Sequence, residues 1–217
     1  MKMHIVTNRN AAIYERELDE FFKLRHAGFA EERGWVPRSE DGRERDQFDT
    51  DAATYVLGMD RDNLVGTSRL MATTEPNLVS EVFPHLCEVE GVPRRPDWAD
   101  WTRVTVAPDY RGGKHAGVSG LLAVAVMEYC LEEGIEWVGG VQEFYLMGRW
   151  AELGWKVKPM GLPRRFGDQE YIVAYVKCTE EALERARRLA GVEGSLLVRR
   201  GEQRPFIDHL WQERAQP

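Results

Sequence analysis

The spacing of apolar residues divides the chain into alternating helices and strands. Apolar side chains follow helical spacing over residues 11–33, which predicts one long or broken helix that ends at Gly34 and Pro37. Residues 54–59 and 64–71 flank a polar turn and predict a β-hairpin. The other predicted strands are residues 4–7, 101–106, 137–141, 156–158 and 170–176, and the other predicted helices are residues 116–133, residues 144–153 and a last helix capped by Thr179.

Strands that alternate with crossover helices predict an α/β sandwich built on a mixed sheet. A chain of 217 residues can form one domain with a sizeable core. We assign residues 1–198 to this domain and residues 199–217 to a C-terminal tail that is either loosely ordered or docked. Residues 73–98 form a long connection, and a connection of this length in a domain is usually functional or packed as an excursion.

Charged residues interrupt the apolar pattern where buried side chains are expected. Arg25 lies on the apolar stripe of the first helix, and Arg69 and Arg103 lie in the middle of predicted strands. Buried charges are costly unless they are paired, so these arginines and nearby carboxylates predict one shared polar site. The alternative is three unrelated salt bridges or solvated faces. The carboxylates that we assign to the shared site are Asp46, Asp49 and Asp100.

Composition excludes several classes of function. The net charge of −7 argues against a nucleic-acid partner bound through bulk positive charge. The three cysteines are widely spaced without a zinc-binding pattern, so we expect reduced core thiols and no metal site. No apolar run reaches transmembrane length and the N-terminus does not have the pattern of a signal peptide. We therefore expect a cytoplasmic protein with no membrane partner.

A possible anion-binding turn follows the strand at residues 101–106. Residues 106–112 read Val-Ala-Pro-Asp-Tyr-Arg-Gly, which resembles the entry to the pyrophosphate loop of GNAT acetyltransferases. Free backbone N–H groups at a helix N-terminus bind anions, and glycine lets a phosphate approach closely. The alternative is an ordinary glycine-rich turn, since Lys114 stands where that motif has its next glycine. The positions predicted to hold the phosphopantetheine arm are Val106, Arg111, Gly112, Gly113 and Lys114.

Eight polar or aromatic positions, with their order and gaps, resemble the LuxI-type acyl-homoserine-lactone synthases over residues 3–178. The resemblance implies a GNAT-like α/β/α sandwich with a mixed, mostly antiparallel sheet. One position departs from the family pattern, because Asp100 stands where the family usually has glutamate. The segments that carry the resemblance are Arg25, Phe29 and Trp35, then residues 46–49, 66–70 and 100–103.

The resemblance implies an enzyme that makes a quorum-sensing signal from S-adenosylmethionine and an acyl thioester, with no permanently bound cofactor. The amine of S-adenosylmethionine is acylated, and lactone closure then releases methylthioadenosine. Asp100 is the candidate base, directly or through water, and Arg103 is the second candidate catalytic residue. Strict strand alternation places these two on opposite faces, and a β-bulge would reconcile them. The expected substrate-binding residues are Arg25, Phe29, Trp35, Asp46, Asp49, Arg69, Thr102 and Arg103.

The acyl group needs an apolar pocket, for which the strand at residues 137–141 and the helix after it are the candidates. The bulky Phe144 and Tyr145 favour a short, compact or aromatic acyl group. Local sequence resembles the branch of the family that uses acyl-CoA, and acyl carrier protein stays an open alternative. The predicted pocket residues are Trp101, Gly140, Val141, Phe144, Tyr145 and Met147.

Two other functions share parts of this pattern. An acyl-CoA N-acyltransferase acting on another amine would have the same fold, but would not need Arg25, Trp35, Asp46 and Asp49 together. A non-catalytic protein that binds acyl thioesters would have no need for paired buried charges. The sequence leaves the oligomeric state open.

Overall fold

The computed structural model describes residues 1–111 and 117–207, and the chain falls into two units. The first comprises Met1–Leu70, Arg103–Val126 and Ala190–Arg204, and the second comprises Met71–Thr102, Met127–Leu189 and the chain from Pro205. The strands are β1 (Lys2–Val6), β2 (Thr54–Asp60), β3 (Asn63–Ala72), β4 (Trp98–Val106), β5 (Trp137–Glu143), β6 (Val157–Pro159), β7 (Arg164–Phe166), β8 (Gln169–Lys177) and β9 (Leu197–Arg199). The helices are α1 (Glu15–Arg25), α2 (Leu78–Glu81), α3 (Val118–Glu132), α4 (Leu146–Glu152) and α5 (Glu180–Ala190).

The first unit has helices on both faces of its sheet. The strand order is β3-β2-β1-β9, in which β2 is antiparallel to both neighbours and β9 is parallel to β1. Leu57 and its neighbours pack against Phe21 and Phe22 of α1, whereas Gly66 lies against Leu122 of α3 on the opposite face. This arrangement confirms the predicted sandwich, with alternate residues of each strand facing different helices.

The predicted N-terminal helix is present as three consecutive parts. A 3-10 turn over Ala11–Tyr14 precedes α1, and the chain continues after α1 in π-helical form over His26–Glu32. Of the two alternatives predicted for residues 11–33, one long helix or a broken helix, the structure confirms the broken helix. Single π-helical turns are rare and occur often at functional sites.

The second unit contains a mixed sheet in the order β6-β8-β5-β4, with β7 also paired to β8. β4 is parallel to β5, and β8 is antiparallel to β5, β6 and β7. With the pairings of the first unit, these confirm a mixed, mostly antiparallel sheet. The sequence did not predict β7 and β9, because a strand of three residues is too short to show a period.

The helix caps agree with the sequence. The backbone N–H of Ala182 donates to Thr179 Oγ1 at 3.1 Å, which caps α5 as predicted. The connection at residues 73–98 contains α2, which begins with a capping box formed by Asn77 and Ser80. Within residues 1–111 and 117–207, none of the helices combines the length and the apolar composition needed to span a membrane.

The single-domain assignment of residues 1–198 stays a prediction. Of the predicted tail, residues up to 207 are described, and Phe206 and Ile207 are buried. The backbone N–H of Phe206 donates to Glu133 Oε2 at 2.9 Å, so this part of the tail is docked within the second unit. Residues 208–217 lie outside the described residues.

Two adjacent glycines on β5 allow close approach inside the second unit. A Cβ on Gly139 would lie 2.1 Å from the carbonyl oxygen of Ala174 and 2.6 Å from the Cα of Tyr175. Both obstructing atoms are backbone atoms of β8, which cannot move without breaking the ladder. At Gly140 the backbone φ is +149°, and a Cβ would lie 2.4 Å from Asp100 Oδ1. Only glycine fits at either position.

We expect Gly139→Ala to lower the free energy of unfolding by about 3 kcal/mol, the upper part of the range for overpacking. Gly148→Ala is the matched control, because Gly148 is exposed within α4 and a Cβ there meets nothing within 4 Å. That change should leave stability unchanged or raise it by about 0.5 kcal/mol through helix propensity. Urea denaturation measures both variants, and equal stabilities would contradict the packing described here.

Candidate functional site

Three arginines and three carboxylates of the first unit form a closed ring of alternating charge, which we call the charge ring. Each carboxylate contacts two arginines and each arginine contacts two carboxylates, so the six formal charges cancel. Glu44 bridges Arg25 and Arg103, which makes Glu44 the third carboxylate of the ring. The order around the ring is Arg25, Asp49, Arg69, Asp46, Arg103 and Glu44.

The contacts within the charge ring are short and include two bidentate pairs. Arg25 donates from Nη1 and Nη2 to the two oxygens of Asp49 at 2.7 and 2.9 Å, and from Nε to Glu44 at 2.5 Å. Arg69 donates to the two oxygens of Asp46 at 2.6 and 3.0 Å. Bidentate pairing fixes the orientation of both groups as well as their separation.

Two of the three arginines on the ring are almost completely shielded from water. Arg25 is 0% and Arg69 is 1% exposed. Burial alone would raise the pKa of Asp49, but hydrogen bonds and charge from Arg25, together with the charge of Arg69, outweigh it and hold the pKa well below its usual range. Asp49 is therefore ionised at neutral pH.

The loop that carries the carboxylates is held in place by backbone contacts. The N–H of Glu44 donates to the carbonyl of Phe22 at 3.0 Å, which ties the loop to α1. The N–H of Asp46 donates to Asp49 Oδ2 at 2.8 Å, and the N–H of Phe48 donates to Asp46 Oδ1 at 2.9 Å. These hydrogen bonds within the loop orient both carboxylates independently of their arginine partners.

Arg103 reaches the ring through an unusual backbone conformation. Its φ is +57°, a left-handed value that is uncommon for residues other than glycine. Thr67 Oγ1 donates to the carbonyl of Arg103 at 3.0 Å and supports this conformation. A left-handed residue interrupts the strict alternation of β4, which is the kind of irregularity that the sequence analysis required between Asp100 and Arg103.

Aromatic residues extend from the ring to the surface of the first unit. The Arg103 guanidinium lies 5.4 Å from the centroid of the Phe29 ring, and Phe29 stacks on Trp35 with centroids 5.9 Å apart. Trp35 is 48% exposed, and the Arg33 guanidinium covers its face at 4.4 Å. The first unit thus brings together seven of the predicted substrate-binding residues: Arg25, Phe29, Trp35, Asp46, Asp49, Arg69 and Arg103.

Two residues of this site were missed by the sequence analysis. Glu44 stands between Arg43 and Arg45, so it reads as part of a solvated turn, yet it is 5% exposed. Tyr55 donates its hydroxyl to Asp49 Oδ1 at 3.1 Å. Charge balance was the available signal for Glu44, because three arginines in an apolar pattern require three nearby carboxylates. Glu44 is thus a carboxylate of the ring that the sequence analysis did not name, and the assignment of Asp100 to the shared site stays a prediction.

Asp100 lies in the second unit, where it is 1% exposed beside Gly140. Cross-strand register places it in one row with Gly139 of β5 and Tyr175 of β8. Burial, with smaller contributions from the charges of Glu88 and Asp100, raises the pKa of the Cys87 thiol to about 11. Thr102, the remaining predicted binding residue, is also buried in this unit.

The predicted acyl-pocket residues differ in their exposure. Gly140 is buried, and Val141 packs against an apolar cluster of the second unit. Phe144 and Tyr145 are 39% and 59% exposed. These two line an open cleft of about 350 Å³ together with residues of the β7–β8 turn. Trp101 and Met147 are half-buried.

The predicted phosphate-binding turn is described only in part. Gly112, Gly113 and Lys114 lie outside the described residues. Arg111 is exposed, and its guanidinium donates to the carbonyl of Val106 at 2.5 Å and to both oxygens of Glu32 at 2.7 Å. An incoming phosphate would compete with the Glu32 carboxylate for Arg111.

Comparison with known proteins gives consistent matches. The family model described as Autoinducer synthase matches residues 9–186. The isovaleryl-homoserine lactone synthase of Bradyrhizobium diazoefficiens is 37% identical over 183 residues, which is 84% of this chain and 82% of that protein.

Solved structures agree with the family match. The CoA-dependent acyl-homoserine lactone synthase BjaI, solved with SAM and isopentyl-CoA, superposes with a TM-score of 0.89 at 34% identity, over 95% of this chain and 96% of that one. A putative N-acetyltransferase from Lactobacillus plantarum superposes with a TM-score of 0.54 at 20% identity, over 82% of this chain and 100% of that one. The second match shows the fold alone.

We expect the charge ring to be strongly coupled. Arg69→Met and Asp49→Asn should each lower the free energy of unfolding by about 3 kcal/mol or more, because each change removes one of the two charged partners of its ring neighbours and leaves a net charge in a buried site. The double variant should lose less than the sum of the two single changes. Urea denaturation of all four proteins gives the coupling energy.

The exposed pair of Arg95 and Asp97 is the matched control for this cycle. It is also bidentate, with contacts of 2.9 and 2.8 Å, but the Arg95 side chain is 57% exposed. Its coupling should stay below about 1 kcal/mol. Equal coupling energies in the two cycles would show that burial does not strengthen the charge ring.

Stability should fall with decreasing pH, and Asp49 should account for part of the loss. Its pKa is lower in the folded protein than in the unfolded chain, where aspartate titrates at about 3.9. The contribution of Asp49 is therefore complete at neutral pH and is lost as the pH falls below about 5 toward the folded-state pKa. Unfolding free energies measured between neutral and acid pH should decline less steeply for Asp49→Asn, and parallel curves would contradict this assignment.

Proposed function

This chain belongs to the autoinducer synthase family, and we propose a division of labour in which the charge ring and its aromatic neighbours bind S-adenosylmethionine and Asp100 acts as the base. The enzyme is an acyl-homoserine-lactone synthase that combines S-adenosylmethionine with an acyl thioester. The observation that carries our proposal is the closed charge ring. One loop supplies its three carboxylates, and α1, β3 and β4 each supply one arginine.

The chemistry of S-adenosylmethionine suits the first unit. Its sulfonium is a compact cation that electron-rich aromatic faces attract, and the stacked pair of Phe29 and Trp35 offers such faces. Its carboxylate is an acceptor for arginine, and Arg103 is the only arginine of the charge ring that is not almost completely buried. The charge ring would keep Arg103 and the loop in one conformation, which lowers the entropic cost of binding.

The first chemical step requires a neutral amine. In our proposal Asp100 accepts a proton from the α-amine of S-adenosylmethionine, directly or through one water. The nitrogen then forms a bond to the thioester carbonyl carbon and the carbon–sulfur bond breaks. The departing thiolate takes up the second proton that the nitrogen loses, and the proton held by Asp100 passes to solvent.

Lactone closure needs positioning more than acid–base catalysis. A carboxylate oxygen bonds to the γ-carbon while the bond from that carbon to the sulfonium breaks, and neutral methylthioadenosine leaves. Because the sulfonium is already a good leaving group, binding both ends of the substrate in a bent conformation supplies most of the rate enhancement that lactone closure requires. Arg103 would hold the attacking carboxylate.

The acyl donor is proposed to be acyl-CoA with a short branched acyl group. The support is similarity to the isovaleryl-homoserine lactone synthase of B. diazoefficiens and to the CoA-dependent BjaI. Val106, Arg111 and the turn at residues 112–114 would bind the pantetheine arm, with Glu32 displaced from Arg111. The apolar cluster beside Asp100, which includes Val173 and Tyr175, would receive the acyl group.

Mass spectrometry of the products of the purified protein tests this function. Incubation with S-adenosylmethionine and isovaleryl-CoA should give isovaleryl-homoserine lactone and an equal amount of methylthioadenosine. Butyryl-CoA, octanoyl-CoA and isovaleryl-acyl carrier protein, supplied in parallel, rank the donors. A faster reaction with the carrier-protein donor would reject the CoA assignment.

Asp100→Asn separates a base from a structural carboxylate. If Asp100 accepts the amine proton, the variant should fold and bind S-adenosylmethionine normally while single-turnover acylation slows by about 100-fold or more. Asp100→Glu places the usual family residue here and should retain much of the rate. A thermal melt is run beside the kinetic assay. A lower melting temperature with an unimpaired rate at saturating substrate would remove Asp100 from the mechanism.

A further inference from the structure

Two buried hydrogen-bonding groups lie in the apolar cluster of the second unit. The Tyr175 hydroxyl and the Trp98 indole Nε1 are both shielded from water and have no hydrogen-bond partner among residues 1–111 and 117–207. Tyr175 is 0% and Trp98 is 7% exposed. A buried polar group without a partner destabilises the folded protein, so two in one cluster need a physical explanation.

The two groups lie together beside Asp100. The rings of Trp98 and Tyr175 have centroids 5.1 Å apart. Trp98 and Asp100 are two residues apart on β4, so their side chains emerge on the same face of the sheet, and Tyr175 is in register with Asp100 across Gly139. Burial, with smaller contributions from the charges of Asp100 and Cys87, keeps the Tyr175 phenol protonated and therefore able to donate.

The middle position of this row is a glycine. Gly139 has no side chain between Asp100 and Tyr175, and the Ala174 carbonyl prevents one from being introduced. The surrounding residues are apolar, which would strengthen a hydrogen bond formed there. The apolar residues of the cluster include Val79, Leu86, Met160 and Val173.

We propose that the Tyr175 hydroxyl and the Trp98 indole N–H donate hydrogen bonds to an oxygen of the acyl donor. The ligand chemistry is an acceptor oxygen in an apolar setting, supplied either by the thioester carbonyl or by a substituent on the acyl chain. This inference rests on the proposed function of the second unit as the acyl site. It adds two donor residues that contribute to rate or to the choice of acyl group.

Tyr175→Phe tests the proposal, because it removes only an oxygen that bonds to no described residue. A structural role predicts unchanged kinetics and unchanged or higher stability, whereas the proposal predicts a decrease in kcat/KM for the acyl donor of about tenfold or more, equivalent to about 1.4 kcal/mol. The KM for S-adenosylmethionine should not change. Tyr14→Phe is the matched control, since it removes a buried hydroxyl whose partner is His4 in the first unit.

Two acyl-CoA substrates distinguish the possible sources of the acceptor oxygen. A loss with both isovaleryl-CoA and 3-hydroxybutyryl-CoA identifies the thioester carbonyl, and a loss with 3-hydroxybutyryl-CoA alone identifies the acyl substituent. Wild-type kinetics for Tyr175→Phe with both donors would overturn the proposal.

Acyl-CoA affinity, measured by calorimetry in the absence of S-adenosylmethionine, tests the role of Tyr175 independently of the proposed function. If the wild-type protein binds acyl-CoA but makes no lactone, the proposed function fails. The acyl-CoA affinities of the wild-type protein and of Tyr175→Phe then still decide the role of Tyr175. An equal loss of affinity for free CoA would place the acceptor on the carrier and would also overturn the proposal.

Discussion

The first unit depends on the requirement that three arginines, two buried and one half-buried, be neutralised at one place. α1, β3 and β4 each contribute one arginine, and the loop between α1 and β2 contributes all three carboxylates. Because each carboxylate is shared by two arginines, removing one member of the ring takes a partner from two buried neighbours at once. The path of the loop, the break after α1 and the left-handed conformation of Arg103 are all compatible with this closed arrangement.

Such an arrangement is a poor way to gain stability. Replacing a buried ionic group by packed apolar residues is often neutral or stabilising, because desolvation of the ions offsets much of their attraction. We therefore place the value of the charge ring in specifying one conformation of the loop and its arginines. The formal charges of a closed ring also cancel, so under the proposed function an excess of arginine would not repel the cationic S-adenosylmethionine from Phe29 and Trp35.

The sequence predicted what depends on local pattern and missed what depends on tertiary contact. The longer strands and helices, the hairpin and the Thr179 cap all have a period or a capping residue that can be read along the chain. Arg25, Arg69, Asp46 and Asp49 were found because charge in an apolar pattern is itself a signal. Glu44 carried no such signal within a charged turn. The left-handed conformation of Arg103, whose carbonyl accepts a hydrogen bond from Thr67, 36 residues earlier, has no signal in the local sequence. Three-residue strands such as β7 are defined by their partners rather than by their own sequence.

The two units use buried polar groups in opposite ways. In the first unit every charged group of the ring has at least two partners, so the site is rigid and its own hydrogen bonds satisfy it. In the second unit the hydroxyl of Tyr175 and the indole N–H of Trp98 have no partner among the described residues, so they cannot serve to hold the fold. A satisfied network fixes the shape of a site, whereas a buried donor without a protein partner has its hydrogen bond available for a ligand. That contrast is why the charge ring is best studied by stability measurements and Tyr175 by kinetics.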